Sequence, residues 1–204
     1  MLSSVPVLLL AVQLLAGCGG PKPIALSRLP SDAKILAFGD SLTAGNGAFP
    51  AQSYPSVLAG LIRREVVNAG VPGETTSGGL ARLPQVLDEV QPQLVILCEG
   101  GNDMLRRQSK VQMRENLANM IREIQKRRIA VVLLGVPEPA LFGLDAEASY
   151  ASLAEEFGLW LDEQTLPEIL GDNARKADRI HPNARGYADL AAAVAELLRK
   201  SGAL

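Results

Sequence analysis

Histidine occurs once in these 204 residues, as His181, so any imidazole chemistry must use that side chain. Cysteine occurs twice, as Cys18 and Cys98. No Cys/His cluster has metal-ligand spacing, and one histidine speaks against a structural zinc site. Excess positive charge is also lacking. The formal net charge is -2, so there is no electrostatic footprint for nucleic acid. No run of like charges forms a tail. No Walker-type phosphate loop occurs, and no Gly-x-Gly-x-x-Gly opens a helix after the first strand, so no cofactor or metal is expected. What remains is 48% apolar and 21% charged, the balance of a globular chain long enough for one domain with a real core.

A long membrane-spanning run is missing as well. Val5 to Ala16 is apolar apart from Pro6 and Gln13, too short to cross a bilayer comfortably, and reads as a signal-peptide core. It ends in Leu15-Ala16-Gly17-Cys18, which resembles a bacterial lipobox. Cleavage there leaves Cys18 as a lipidated N-terminus, held to a membrane by acyl chains at about 0.8 kcal/mol per buried methylene. Residues 1–4 carry no Lys or Arg, so the usual positive segment is absent. The alternative is a plain secretory signal with an incidental cysteine. The expectation is a leader over 1–17, a proline-containing tether over 18–32 and a single domain over 33–204. It places the protein in a bacterial cell envelope, facing the periplasm or the exterior.

Within that domain, Lys34–Phe38 is a short apolar run ending at Gly39, a buried-strand pattern. Val66-Val67, Leu94–Cys98 and Ile129–Leu134 repeat it, and Leu159–Leu161 offers a short fifth strand. Between them lie helical patterns at Ser53–Arg64, Ser77–Val90, Val111–Arg127, Ala146–Phe157 and Asn183 or Ala184 to Lys200. Pro84 falls inside the second, so that helix is expected to kink or to start there. Strand and helix in alternation mean parallel strands joined by crossover helices, and strands apolar throughout mean a sheet covered on both faces. The fold expected is α/β: a three-layer α/β/α sandwich with a flavodoxin-like parallel sheet. In such sheets ligands bind beyond the carboxyl ends of the strands.

Ser41, in Gly39-Asp40-Ser41-Leu42, follows the first strand; Gly73 and Asn102 follow the second and third. A serine hydroxyl is a poor nucleophile until a base takes its proton, and imidazole is the usual base. Asp178 stands three residues before His181, where a carboxylate could hold the imidazole tautomer. Gly73 offers an uncrowded N–H, and Asn102, in Gly100-Gly101-Asn102-Asp103, offers a neutral amide donor. Each segment alone has a plain reading as turn or loop; four of them in order, at strand ends or in loops, are what counts. Asp40 and Asp103 read as hydrogen bonders that hold loops. Cys98 reads as packing, and Tyr187 and Trp160 as core.

Together these segments resemble the SGNH/GDSL hydrolase family over nearly all of residues 33–204. Val66-Val67-Asn68-Ala69, Gly79-Leu80-Ala81-Arg82-Leu83-Pro84 and Gly100-Gly101-Asn102-Asp103 are most similar to its bacterial thioesterase/lysophospholipase/arylesterase branch. The resemblance implies Ser41 as nucleophile, His181 as base and Asp178 as its partner. It implies an oxyanion hole from the Ser41 and Gly73 N–H groups and the Asn102 amide. The implied activity is hydrolysis of carboxylic esters or thioesters of small to medium acyl groups through an acyl-enzyme. Aryl esters and lysophospholipids fall within that range. Met104–Ser109 and Pro137–Asp145, the latter with Leu141, Phe142 and Leu144, are candidate acyl-binding loops. Two other functions fit the same residues less directly: an O-acetylesterase acting on envelope polysaccharide, and a catalytically idle binding lipoprotein.

Overall fold

The computed structural model describes residues 23–139 and 143–204. The expected leader, Cys18 and the start of the tether lie outside the described residues, as do Leu141 and Phe142.

Four apolar runs and one mixed run form a parallel sheet. β1 is Lys34–Gly39, β2 Glu65–Gly70, β3 Leu94–Cys98 and β4 Ala130–Leu134. Two short antiparallel strands follow, β5 (Pro137–Pro139) and β6 (Leu144–Ala146), and β7 is Trp160–Asp162. The sheet order is β2-β1-β3-β4-β7, with every neighbouring pair parallel. β1 and β3 lie inside the sheet, and Ile35–Phe38 and Leu94–Cys98 are buried on both faces. β2 is an edge strand, and its Glu65 and Asn68 are exposed. The expected strand at Val66-Val67 therefore extends through Asn68 to Gly70, because an edge tolerates polar residues.

The longer helices are α2 (Tyr54–Ile62), α3 (Thr76–Val90), α5 (Lys110–Lys126), α6 (Ala148–Phe157) and α8 (Ala184–Lys200); α1 (Ser41–Ala44) and α4 (Gly101–Leu105) are single turns. α2 packs with α8, whereas α3, α5 and α6 pack in sequence with one another, so two helical layers enclose the sheet. α8 buries Tyr187, Leu190, Ala191, Val194 and Leu198, the stripe its periodicity predicts. α3 begins at Thr76 and runs through Pro84 rather than starting there. Leu83 and Leu87 are buried on either side of the proline, and that packing offsets the hydrogen bond proline cannot donate.

Several features depart from expectation. The loop expected over Pro137–Asp145 contains the β5–β6 hairpin, so α6 starts at Ala148, with the Glu147 carboxylate accepting from Ser149 N–H at 2.9 Å. A further helix, α7 (Thr165–Gly171), buries Leu166, Ile169 and Leu170. From Ile24 onward the stretch expected as a tether lies on the domain. Ile24 N–H donates to Gly158, Leu26 to Ser201 and Leu29 to Ala203, and the Trp160 indole donates to the Ile24 carbonyl. Trp160 is thus half-buried under this strap rather than in the centre of the core.

Candidate active site

The strand order reverses between β1 and β3, so the connections leaving their carboxyl ends diverge and open a crevice. Ser41 follows β1 and Asn102 follows β3, one on each side of it. Ser41 is the first residue of α1. Asp40 caps that turn, its Oδ1 accepting from Leu42 N–H at 2.9 Å. At the first helical position an N–H has no carbonyl behind it. Among the described residues the Ser41 N–H and the Gly73 N–H have no hydrogen-bond partner.

The structure brings His181 to Ser41 across 140 positions of chain. Its Nε2 lies 3.0 Å from Ser41 Oγ, and its Nδ1 lies 2.8 Å from Asp178 Oδ2. With the proton on Nδ1, the ring donates to Asp178 and accepts from the serine hydroxyl. The loop is built to hold that pose. Asp178 Oδ1 accepts from the N–H groups of Ile180 (2.8 Å) and His181 (2.9 Å), and Ala177 N–H donates to the His181 carbonyl. Asn183 then caps α8 by accepting from Arg185 and Gly186, while its amide donates to the Ala174 and Lys176 carbonyls. Tyr187 ties α8 to the loop after α1 by donating to the Asn46 carbonyl at 2.8 Å. Gly47 (φ 96°) lies under the same loop, where a Cβ would come within 2.5 Å of the Pro182 carbonyl oxygen. Burial raises the Asp178 carboxyl somewhat, but the imidazole and the two N–H groups outweigh it and hold it below the usual carboxylate range.

Gly73 occupies a turn in which Glu74 N–H donates to the Val71 carbonyl at 3.1 Å. Pro72 in second place and Gly73 at φ 80° in third are the marks of a type II turn. Side chains from the Asn102 segment cross to this turn. Buried Asp103 accepts from Thr76 N–H (2.8 Å) and Thr76 Oγ1 (2.6 Å), and Asn116 donates to the same Thr76 oxygen. The Arg106 guanidinium donates to the Gly73 carbonyl at 2.8 Å. From α3, Arg82 stacks over Phe38 and holds Glu74 (2.5 Å) and the Ala69 carbonyl (3.0 Å). The Asn102 amide donates to Asp40 Oδ2 at 3.2 Å, which leaves its second N–H free to point elsewhere.

Asp40 is therefore more than a cap: it bridges the turn of Ser41 to the amide of Asn102. Burial pushes its carboxyl up to about 6, against the lowering effect of Leu42 N–H, His181 and Asn102. Behind it sits Glu99, fully buried, with Oε2 accepting from Gly100 N–H and Oε1 without a partner among the described residues. Burial, with Asp40 and Glu74 adding repulsion, pushes Glu99 up to about 10, so it is a neutral acid at pH 7. Sequence reasoning passed over Glu99, although a glutamate directly after an apolar strand and before two glycines was a visible signal. It also passed over Arg106, Thr76 and the helix that supplies Leu170.

A cavity of about 720 Å³ opens beside Ser41. Leu42, Met104, Leu105, Val136, Leu170 and Ile180 give it apolar walls, and Ser41 and Asn102 also line it. Met104–Ser109 contributes as expected. Of the second expected loop, Pro137 and Glu138 reach the cavity, and Glu138 pairs with Lys110. Cys98 is buried in β3 and lines no part of it. The arrangement can deprotonate a hydroxyl at Ser41 and offer N–H donors to a negative oxygen formed next to it.

The family model described as "GDSL-like Lipase/Acylhydrolase family" matches residues 37–188, from within β1 into α8. Esterase TesA of Pseudomonas aeruginosa is 38% identical over 182 residues, which cover 83% of this chain and 88% of that one. A thioesterase 1/protease 1/lysophospholipase L1 of Escherichia coli is 33% identical, covering 73% of this chain and 75% of its own. The solved structure of a TesA superimposes with a TM-score of 0.75 at 31% identity, covering 82% of this chain and 99% of the other. On the family match and these relatives, the chain belongs to the GDSL-like lipase/acylhydrolase family.

Proposed function

We propose that this ester hydrolase works through a Ser41–His181–Asp178 triad. The observation that carries the reading is the unbroken relay from Ser41 Oγ through both imidazole nitrogens to Asp178, at 3.0 and 2.8 Å. His181 Nε2 takes the hydroxyl proton as Ser41 Oγ bonds to the ester carbonyl carbon. Asp178, held ionised, stabilises the imidazolium. The carbonyl oxygen becomes an oxyanion and accepts from the Ser41 N–H, the Gly73 N–H and the Asn102 amide. Donors placed in advance cost no reorganisation as that charge appears, and losing one typically lowers turnover by about 10²–10³. The intermediate collapses, the alcohol or thiol leaves with the proton from His181, and an acyl group remains on Ser41. Water then repeats the sequence, giving the carboxylic acid and free serine.

The apolar walls beside Ser41 favour an acyl chain of several carbons over acetyl alone. The test is hydrolysis of p-nitrophenyl esters of increasing acyl length by residues 19–204, with Ser41→Ala alongside. Turnover that rises beyond acetyl and vanishes in the variant supports both parts of the reading. A preference confined to acetyl moves the substrate to an O-acetylated one, and turnover retained in the variant rejects the nucleophile.

The anchoring reading rests on Leu15-Ala16-Gly17-Cys18, and it makes Cys18 the acylated N-terminus of an envelope lipoprotein. Mass spectrometry of the membrane fraction tests it: an N-terminal peptide starting at an acylated Cys18 is expected, and an unmodified Cys18 rejects it.

A further inference from the structure

We infer that Arg106 is a positioning residue for the oxyanion hole, locking the Gly73 turn in register with Asn102. This rests on the reading of Gly73 and Asn102 as oxyanion donors, and assigns a role to a side chain that touches neither the serine nor the imidazole. The two donors come from different connections, one after β2 and one after β3. An oxyanion hole works when its donors converge on one point, and an error of about 1 Å can cost on the order of 10²-fold in rate. Some contact must therefore fix one connection against the other.

Two contacts do so. Asp103, next to Asn102, grips Thr76 through both its N–H and its hydroxyl. That grip is buried and acts at the start of α3, three residues beyond Gly73. Arg106 acts at Gly73 itself. It ends the same turn that carries Asn102, its own N–H donating to the Asn102 carbonyl at 3.0 Å. Its guanidinium reaches back to the Gly73 carbonyl at 2.8 Å. One residue thus bonds to both donor-bearing residues.

The chemistry of the turn shows why that carbonyl matters. The Gly73 N–H belongs to the peptide between Pro72 and Gly73. Type I and type II turns differ by a flip of that peptide, and glycine allows both. The flip would turn the N–H to the opposite face of the turn. Here φ is 80°, the type II side. Holding the Gly73 carbonyl, on the other side of the same α-carbon, opposes the compensating rotation at Gly73. Arg106 is exposed, so its bond adds little to stability; net hydrogen-bond contributions run about 0.5–1.5 kcal/mol. Its effect belongs in the transition state.

The experiment is a double-mutant cycle on one soluble p-nitrophenyl ester with residues 19–204, comparing wild type, Arg106→Ala, Asn102→Ala and the double variant, with Tm recorded for each. Arg106→Ala is expected to lower kcat about 10-fold with KM and Tm nearly unchanged, an order-of-magnitude figure below the loss of a whole donor. Added guanidinium, at concentrations that do not unfold the protein, is expected to restore part of the loss. Arg106→Lys should retain an intermediate kcat. The double variant should lose less than the product of the single losses, because the donors act together. A change confined to KM would make Arg106 a substrate contact and overturn the proposal. So would an unchanged kcat in Arg106→Ala while Asn102→Ala loses turnover. If Asn102→Ala itself keeps full kcat, the oxyanion reading fails first and takes the proposal with it.

Discussion

His181 sits with its ring mostly covered, whereas Asp178 beside it is half open to water. That contrast sets different expectations for the residues of the site. Ser41→Ala and His181→Ala should each remove most turnover, and the double variant should be little worse than either, because the two act as one unit. Losses that multiply would contradict a shared relay. Asp178 is held below the ordinary carboxylate range, so its ionised form is the one the fold prefers. Its contribution to stability is present above the unfolded value and is lost as pH falls through the depressed folded value. Glu99 runs the other way. Its folded value, about 10, lies far above the ordinary 4.5, so the folded state keeps a proton that the unfolded chain releases. The unfolded state binds fewer protons across that window, and stability declines as pH rises through it. Glu99→Gln should therefore raise Tm by an increment that grows from pH 5 to pH 9. An increment independent of pH would mean that Glu99 is ionised in the fold. At this scale the residues of the proposed triad were legible because each has a distinctive type and a distinctive local setting. Arg106 was not, since its meaning lies in a contact to Gly73 that no local pattern encodes, whereas Glu99 was passed over although its place between an apolar strand and two glycines marked it.

Elements carry these residues, and their ends matter more than their middles. Strand interiors were read well because Ile35–Phe38 and Leu94–Cys98 are apolar on both faces. α8 was read well because its stripe has the helical period. The β5–β6 hairpin was missed: its strands are three residues each, and Pro137 and Pro139 argue against strand by propensity. α7 was missed although Leu166, Ile169 and Leu170 have helical spacing, and although Asp162 accepts from Thr165 N–H and its hydroxyl at the start. The coupling between elements makes its own prediction. Gly47 lies where the loop after α1 meets the loop of His181, and a methyl there would collide with the Pro182 carbonyl. Gly47→Ala should lower Tm and reduce kcat together, since both the left-handed backbone and the loop seat are disturbed. A variant with a lowered Tm but wild-type kcat would show that the loop of His181 keeps its pose without the Gly47 seat.

For the whole molecule, the strap and the catalytic crevice lie at opposite ends. α8 starts three residues after His181 and ends beside Ser201, whose carbonyl receives Leu26 N–H. Its seventeen residues span about 25 Å at 1.5 Å each. Under the anchoring proposal, Cys18 precedes the docked Ile24 by six residues, a reach of at most about 22 Å. An anchored protein would hold its crevice away from its own membrane for as long as the strap stays docked. Lipidated protein in vesicles should then hydrolyse a non-exchanging long-chain ester faster in added vesicles than in its own bilayer. A long flexible insertion between Cys18 and Ile24 should erase the difference. Faster hydrolysis in its own bilayer without the insertion would contradict this orientation.

Under the proposed mechanism an acyl group passes through Ser41. Acid-quenching the protein during turnover of a p-nitrophenyl ester and locating the acyl mass by peptide mapping tests this step most directly. One acyl group per chain is expected on the peptide containing Ser41, and none in His181→Ala under the same conditions. An acyl group on another residue, or equal labelling of Ser41 without the imidazole, would contradict it.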